Sequence, residues 1–410
     1  MAQAFSVKNY FKKIYSPTLL TELYKRHNIE AFFEITDSTA RKNVTAIFND
    51  FYASVPPEQK IDIQKELTLI HSISTSHATD LFNSILKERK IANNETAIEC
   101  VSDHDRALYY YLFHKDIFDE VMYFHTFYIK PNYMLYEAPT LDLVEAELKV
   151  TELGREFKRI ANKEDRVTEC YVEAKALNGF LYINATFEGD TILSVKKDSI
   201  TGDIEKTQAT KKIEEVRIVY LPADKEVLIS YTGSKYEKLI FLDTFLRIVC
   251  NSGYTEKIES FDFSSFKDES FDFTKTNKGT PLLTWKIKAI TFSLPGSEKL
   301  KKKIRLTLPS GAQEYGLTPL FSCLEEITIK SQFKNYAIEN VALSFSFTDK
   351  AKGDKAVNVQ TSLSLIKSSL CPLFFYHRYA RTLLKQATIE QGFIEVVKKE
   401  KEEVNKKWEV

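Results

Sequence analysis

The stretch Cys170–Phe187, CYVEAKALNGFLYINATF, decides how the chain is read. Cys170, Val172, Ala174 and Ala176 alternate with Tyr171, Glu173 and Lys175, the period of two that sends successive side chains to opposite faces of a strand. Asn178-Gly179 then supplies two adjacent residues that tolerate positive φ, which a two-residue hairpin turn requires. Leu181, Ile183, Ala185 and Phe187 resume the alternation on the return strand. A β-hairpin is predicted here, with period-two patterning from about residue 165 onward.

Upstream the pattern is helical. None of the 12 glycines precedes Gly154, so this long stretch lacks the residue that hairpins and bulges use and that weakens helices. Ser16-Pro17 before Leu19, Leu20 and Leu23 reads as an N-cap, a first-turn proline and an apolar stripe. Val44, Ile47, Phe48 and Phe51 mark a helix within Thr39–Val55. After Pro56-Pro57, Ile61, Ile63, Leu67 and Ile70 mark the next, and Leu81, Ile85 and Leu86 a third from about Thr79. Asp103–Phe127 is dense in aromatics and predicts two short helices meeting near Lys115-Asp116. Leu141–Ile160 predicts a connector helix.

Downstream, Val216–Leu221 and Val227–Thr232 flank the turn Pro222-Ala223-Asp224-Lys225, and a helix follows from Ser234 to Val249. A short duplication, Ser260–Ser264 (SFDFS) and Ser270–Thr274 (SFDFT), reads as a linker or docking segment. From Trp285 the alternation returns. Val341, Leu343, Phe345 and Phe347 on one strand face Val357, Val359, Leu363 and Leu365 on the next, with Ser, Thr, Asn and Gln opposite, the pattern of a half-buried antiparallel sheet. Pro372–Val397 predicts a closing helix, with KKEKEEVNKKWEV as its solvated, salt-bridged continuation.

The predicted class is α+β: an all-helical N-terminal domain followed by two antiparallel-sheet modules, each closed by a helix. The predicted boundaries are 1–138 for the helical domain, 139–164 for the connector, 165–258 for the first module, 259–282 for a linker and 283–410 for the second module. With 410 residues, 43% apolar and 13% aromatic, the chain has ample material for several cores and none of the character of a disordered one.

Charge narrows the function classes. The 57 basic and 57 acidic side chains cancel, which excludes a nucleic-acid wrapper or an acidic solvating tail as the whole account. The balance is uneven, since residues 1–150 hold 16 basic and 21 acidic side chains, leaving 41 and 36 for the rest. No apolar run is long enough to span a membrane and no secretory leader is evident. Cys100, Cys170, Cys250, Cys323 and Cys371 are odd in number and lie far apart without a CxxC pair, which points to free thiols in a reducing cytoplasm. P-loop, dinucleotide-fold, nucleophile-elbow and HExxH motifs are absent, so no cofactor is expected.

Three patterns carry candidate chemistry. His104-Asp105, with His71 and His77 upstream on a helical scaffold, has the residue types of a metal-dependent phosphohydrolase, where a His and a His-Asp pair converge on metal. Asp103-His104-Asp105 also fits a helix N-terminus, where first-turn carboxylates meet the dipole. Glu173 and Lys175, with Asp165 upstream, match the acid-x-Lys strand by which restriction-type nucleases hold Mg²⁺, although the spacing is short and a charged solvent face fits the alternation equally. Lys299, Lys301, Lys302, Lys303 and Arg305 form a basic run that suits a phosphate backbone or, more commonly, a solvated hairpin. The aromatics of Tyr109–Tyr136 fit a packed core or a protein interface.

Ser102–Phe118, with its D-x-x-R-A-L element, Glu214–Tyr231, and Phe261–Phe273 leading into Trp285–Leu294 together resemble an uncharacterised family of large bacterial cytoplasmic proteins. The resemblance implies a setting among antiviral defence genes and carries over no catalytic residue. The expected function is a cytoplasmic, non-enzymatic binding or sensor protein of bacterial antiphage defence with a protein partner. The alternatives are a metal-dependent nuclease or phosphohydrolase, and a nucleic-acid-binding module.

Overall fold

The computed structural model describes residues 5–29, 43–92, 100–129, 133–162, 170–192, 195–197, 204–206, 210–253, 256–276, 279, 281–293, 303–308, 315–349, 355–364, 367–368, 373–391 and 394–399. The chain divides into two compact units. One comprises Met1–Asn132 with Val172–Asn184, the other Tyr133–Tyr171 with Ala185–Val410.

The first unit is helical. Its helices are α1 (Val7–Phe11), α2 (Pro17–Arg26), α3 (Val44–Ser54), α4 (Pro57–Ser72), α5 (Ser76–Arg89), α6 (Asp103–Phe113) and α7 (Lys115–Ile129). Local chemistry starts them, at Ser16-Pro17 as the sequence indicates and for α5 at Ser76, ahead of the expected Thr79. Ser16 Oγ accepts from the Leu19 amide ahead of Pro17, and Thr75 caps α5 through the Ala78 amide. Ser102 and Asp105 form a reciprocal capping box on α6, satisfying amides that a helix start leaves unpaired. The core is aromatic. Tyr24 packs edge-on to Phe51 at 4.7 Å, and Phe82 stacks on Tyr110 at 4.2 Å.

The hairpin of β2 (Cys170–Leu177) and β3 (Phe180–Ile192) contributes its turn end, residues 172–184, to this unit. Asn178 and Gly179 both have positive φ, 53° and 78°, as the turn requires. Tyr182 on β3 packs between Phe124 and Phe127 of α7, at 5.0 and 5.1 Å.

The second unit holds the second sheet and most of the first, and the fold is α+β. The first sheet runs β1-β7-β6-β3-β2, with β1 at Met134–Glu137, β6 at Thr210–Leu221 and β7 at Glu226–Tyr231. β7 pairs antiparallel with β6 on one side (Val216↔Tyr231) and with β1 on the other (Met134↔Ile229). The predicted connector is two helices, α8 (Leu143–Leu148) and α9 (Val150–Ala161), divided at Lys149. The sheet is closed by α10 (Lys235–Val249), whose Phe241 packs on Phe157 of α9 and Phe187 of β3. Between β3 and β6 lies a small ribbon, β4 (Val195–Lys197) with β5 (Ile204–Lys206).

The second sheet runs β10-β9-β11-β12-β13, comprising β9 (Leu282–Ser293), β10 (Lys303–Thr307), β11 (Ala337–Asp349), β12 (Lys355–Ser364) and β13 (Lys367–Ser368). Its long hairpin follows the predicted alternation: Val341, Leu343, Phe345, Phe347, Val359 and Leu363 are buried, while Asn358, Gln360 and Ser362 are exposed. Against the buried side pack α11 (Phe273–Thr276), α12 (Thr318–Glu326) and α13 (Phe375–Gln391), the last through Ala380, Leu383 and Leu384.

Two features differ from the sequence reading. The segment read as a linker, 259–282, is part of the second core: Phe263, Phe266, Phe271 and Phe273 are buried around Trp285, and Asp272 Oδ1 accepts from Trp285 Nε1 at 2.7 Å. Phe263 of the first copy and both phenylalanines of the second turn inward, while Asp262 and Asp272 bond to the amides two residues on, so composition alone made a core element look like a loop. At the other end, the predicted closing helix stops at Gln391. Ile394–Lys399 forms β14, paired antiparallel with β8 (Glu256–Phe261), so β-rich residues 394–397 follow strand propensity rather than extend the helix.

The second sheet module and most of the first lie in one unit. A bidentate ion pair joins them, from Arg381 of α13 to Glu226 of β7 at 3.0 and 3.1 Å, with Glu226 only 1% exposed. The described cysteines Cys100, Cys170, Cys250 and Cys323 are free thiols.

Phe273→Ala tests the reassignment of the linker. Emptying a fully buried phenylalanine site is expected to cost about 3–5 kcal/mol in denaturant unfolding. A cost below ~0.5 kcal/mol, as at an ordinary surface site, would return the segment to a linker.

Candidate functional site

Four histidines of the helical unit lie in two close pairs. α4 presents His71 and α6 presents His104, and His71 Nδ1 lies 3.1 Å from His104 Nε2. The rings are 5.2 Å apart, with Tyr10 of α1 against both and Phe5 against His71. The close nitrogens require one to donate and the other to accept, so at least one imidazole carries no second proton. Burial pushes His104 down to about 4, aided by the nearby charges of Lys13 and His71 and opposed by Asp103. His71 is lowered by burial and then by Lys13.

Asp105 does something else. Its Oδ1 accepts from the backbone N–H groups of Tyr15 (2.7 Å) and Ser16 (3.3 Å). Its Oδ2 accepts from those of Val101 (3.2 Å) and Ser102 (2.9 Å). The Ser102 hydroxyl is placed both for Oδ2 at 2.9 Å and for the Lys13 carbonyl at 2.8 Å. The carboxylate is fully buried and joins the turn before α2 to the start of α6. His104 and Asp105 therefore have separate partners: the histidine meets His71, and the aspartate holds backbone. Among the described residues no three His, Cys, Asp or Glu side chains gather as a metal site would require.

A second pair, His77 and His125, stacks at 6.0 Å beside Tyr128. His125 Nε2 donates to the Ser72 carbonyl at 3.1 Å. Burial and then His125 push His77 down to about 4, and burial lowers His125. His114 bonds to the Tyr109 hydroxyl at 3.0 Å.

On β2, Glu173 and Lys175 are spent on each other. Lys175 Nζ lies 2.8 Å from Glu173 Oε1, and the ammonium sits 4.6 Å above the Tyr123 ring of α7. Tyr123 Oη in turn reaches the carbonyls of Glu173 and Tyr182, at 3.0 and 2.8 Å. This is an ion pair clamped on an aromatic face. Asp165 lies outside the described residues, as do Lys299, Lys301 and Lys302. Lys303 and Arg305 are exposed on β10, with Lys303 paired to Glu339.

Lys286 and Lys288 of β9 escaped the sequence reading. The signal was there in Trp285-Lys286-Ile287-Lys288, whose alternation turns both lysines away from the core, but the register that sets them near β10 is not visible in sequence.

No family model matches the chain, and no curated protein matches it significantly. Among the described residues no helix is long and apolar enough to cross a membrane.

The histidines give the helical unit a definite acid response. The folded chain holds these imidazoles neutral well below the ordinary value of 6.5, whereas the unfolded chain protonates them there. The unfolded state thus binds more protons between about 6.5 and about 4, and stability, full above that window, falls as pH drops through it. The melting temperature is expected to decline over this range, with a shallower decline in His104→Gln. A midpoint flat across the window would show that the histidines are not held neutral.

Proposed function

We propose that the chain is a binding or sensor protein rather than a catalyst. The reading rests on one observation: the carboxylates best placed by sequence for metal chemistry are already engaged by the fold, Asp105 by four backbone amides and Glu173 by Lys175. A catalytic carboxylate keeps its lone pairs for metal or water. Both of Asp105's oxygens are instead occupied, and it lies completely buried. The cytoplasmic setting and the role in bacterial antiphage defence that the family resemblance implies belong to this proposal, as does recognition of a partner.

Incubation with DNA, RNA and phosphate esters in Mg²⁺ or Mn²⁺ tests it. No turnover is expected above that of a Glu173→Ala, Asp105→Asn double variant. Metal-dependent cleavage by the parent chain that Glu173→Ala abolishes would overturn the reading in favour of a nuclease.

A further inference from the structure

The second sheet has one face against its aromatic core and one turned outward. On β9, Trp285, Ile287, Ile290 and Phe292 are buried, whereas Lys286, Lys288, Thr291 and Ser293 are not. The register shifts where Ala342 pairs with Ala289 but Leu343 pairs with Ile287, leaving Lys288 as the extra residue of a bulge. Across the other edge of β9, Arg305 faces Thr291 and Lys303 faces Ser293. The four cations therefore follow one another along the β9–β10 edge. Lys286 to Ser293 spans seven residue steps, about 24 Å at ~3.4 Å each.

The charges are poorly compensated. Lys303 meets Glu339, but no ion pair joins Lys286, Lys288 or Arg305 to a carboxylate among the described residues. Lys288 lies close enough to Lys286 that burial and then the neighbouring ammonium lower its pKa. Like charges gathered without a counter-charge are stabilised by a bound polyanion. The neighbouring outward positions are Ser346 on β11 with Asn358 and Gln360 on β12. Hydroxyls and amides of this kind donate to phosphate oxygens.

We infer that this face binds the sugar-phosphate backbone of duplex nucleic acid without reading its sequence. The inference rests on the binding reading proposed above and specifies its ligand. A row of cations at this spacing suits successive phosphates, whereas the interior of a protein interface is poor in lysine and rich in aromatic anchors. Between Thr284 and Ser293 the outward side of β9 carries no large apolar or aromatic side chain, so the strand itself offers no ring on which a base could stack.

Fluorescence anisotropy of the full chain tests this, with two unrelated 20-base-pair DNA duplexes, the corresponding single strands and polyglutamate, all in EDTA. Both duplexes are expected to bind alike. With three cations unpaired among the described residues, the slope of log K against log salt is expected near −2.7, so binding weakens about 40-fold between 50 and 200 mM salt. Lys286→Gln/Lys288→Gln/Arg305→Gln is expected to remove nearly all of that slope. Lys65→Gln/Lys87→Gln on the helical unit should leave it intact. Circular dichroism melting of each variant separates lost binding from lost folding.

Absence of duplex binding at low salt overturns the inference, as does binding that the triple variant retains or tighter binding of single strands. Tighter binding of polyglutamate overturns it in favour of an acidic protein partner. Each of those results leaves the non-catalytic reading standing, while metal-dependent cleavage removes that reading whether or not duplex binds.

Discussion

A single buried carboxylate organises the helical unit. Asp105 accepts four backbone N–H groups drawn from two places roughly 90 residues apart in sequence, the turn at Tyr15-Ser16 and the start of α6 at Val101-Ser102. Hydrogen bonds to a charged acceptor are worth ~1.5–3 kcal/mol each, and an ionised carboxylate is tolerated in an interior only when so satisfied. The same residue closes the capping box of α6, the helix whose His104 meets His71. Its role also answers the chemical question posed by the His-Asp dipeptide: neighbours in sequence serve opposite sides of one helix start.

The second unit depends on a comparable arrangement built from aromatics. Phe266, Phe271 and Phe273 surround Trp285, whose indole N–H is met by Asp272. That bond satisfies the one polar group of the largest buried side chain and fixes the segment before β9 against the sheet. Trp285 thus orients β9, and β9 carries Lys286 and Lys288 on its other side. The packing of one face and the charge of the other are two consequences of the same alternation.

Much of this was legible in the sequence where local rules dominate. The Asn178-Gly179 turn, the Ser16-Pro17 helix start and the alternation of Val341–Phe347 each follow from backbone preference or periodicity, and each stands in the structure. Long-range pairings were not legible. Nothing in the sequence around Glu226 points to Arg381, 155 positions away. The linker reading of 259–282 failed because Ser, Asp and Lys dominate its composition while Phe263, Phe266, Phe271 and Phe273 pack in the core. For the candidate site, sequence proposed residue types correctly but not their partners: Asp105 and Glu173 have the right chemistry for metal, and the fold uses it on amides and a lysine.

Hydrogen exchange at four amides measures the central claim most directly. In the parent chain Tyr15, Ser16, Val101 and Ser102 are expected to be protected, and in Asp105→Asn all four are expected to exchange faster together, with Mn²⁺ leaving the parent rates unchanged. Unchanged protection in the variant, or parent rates that shift on adding Mn²⁺, would contradict a structural role and give Asp105 back to metal chemistry.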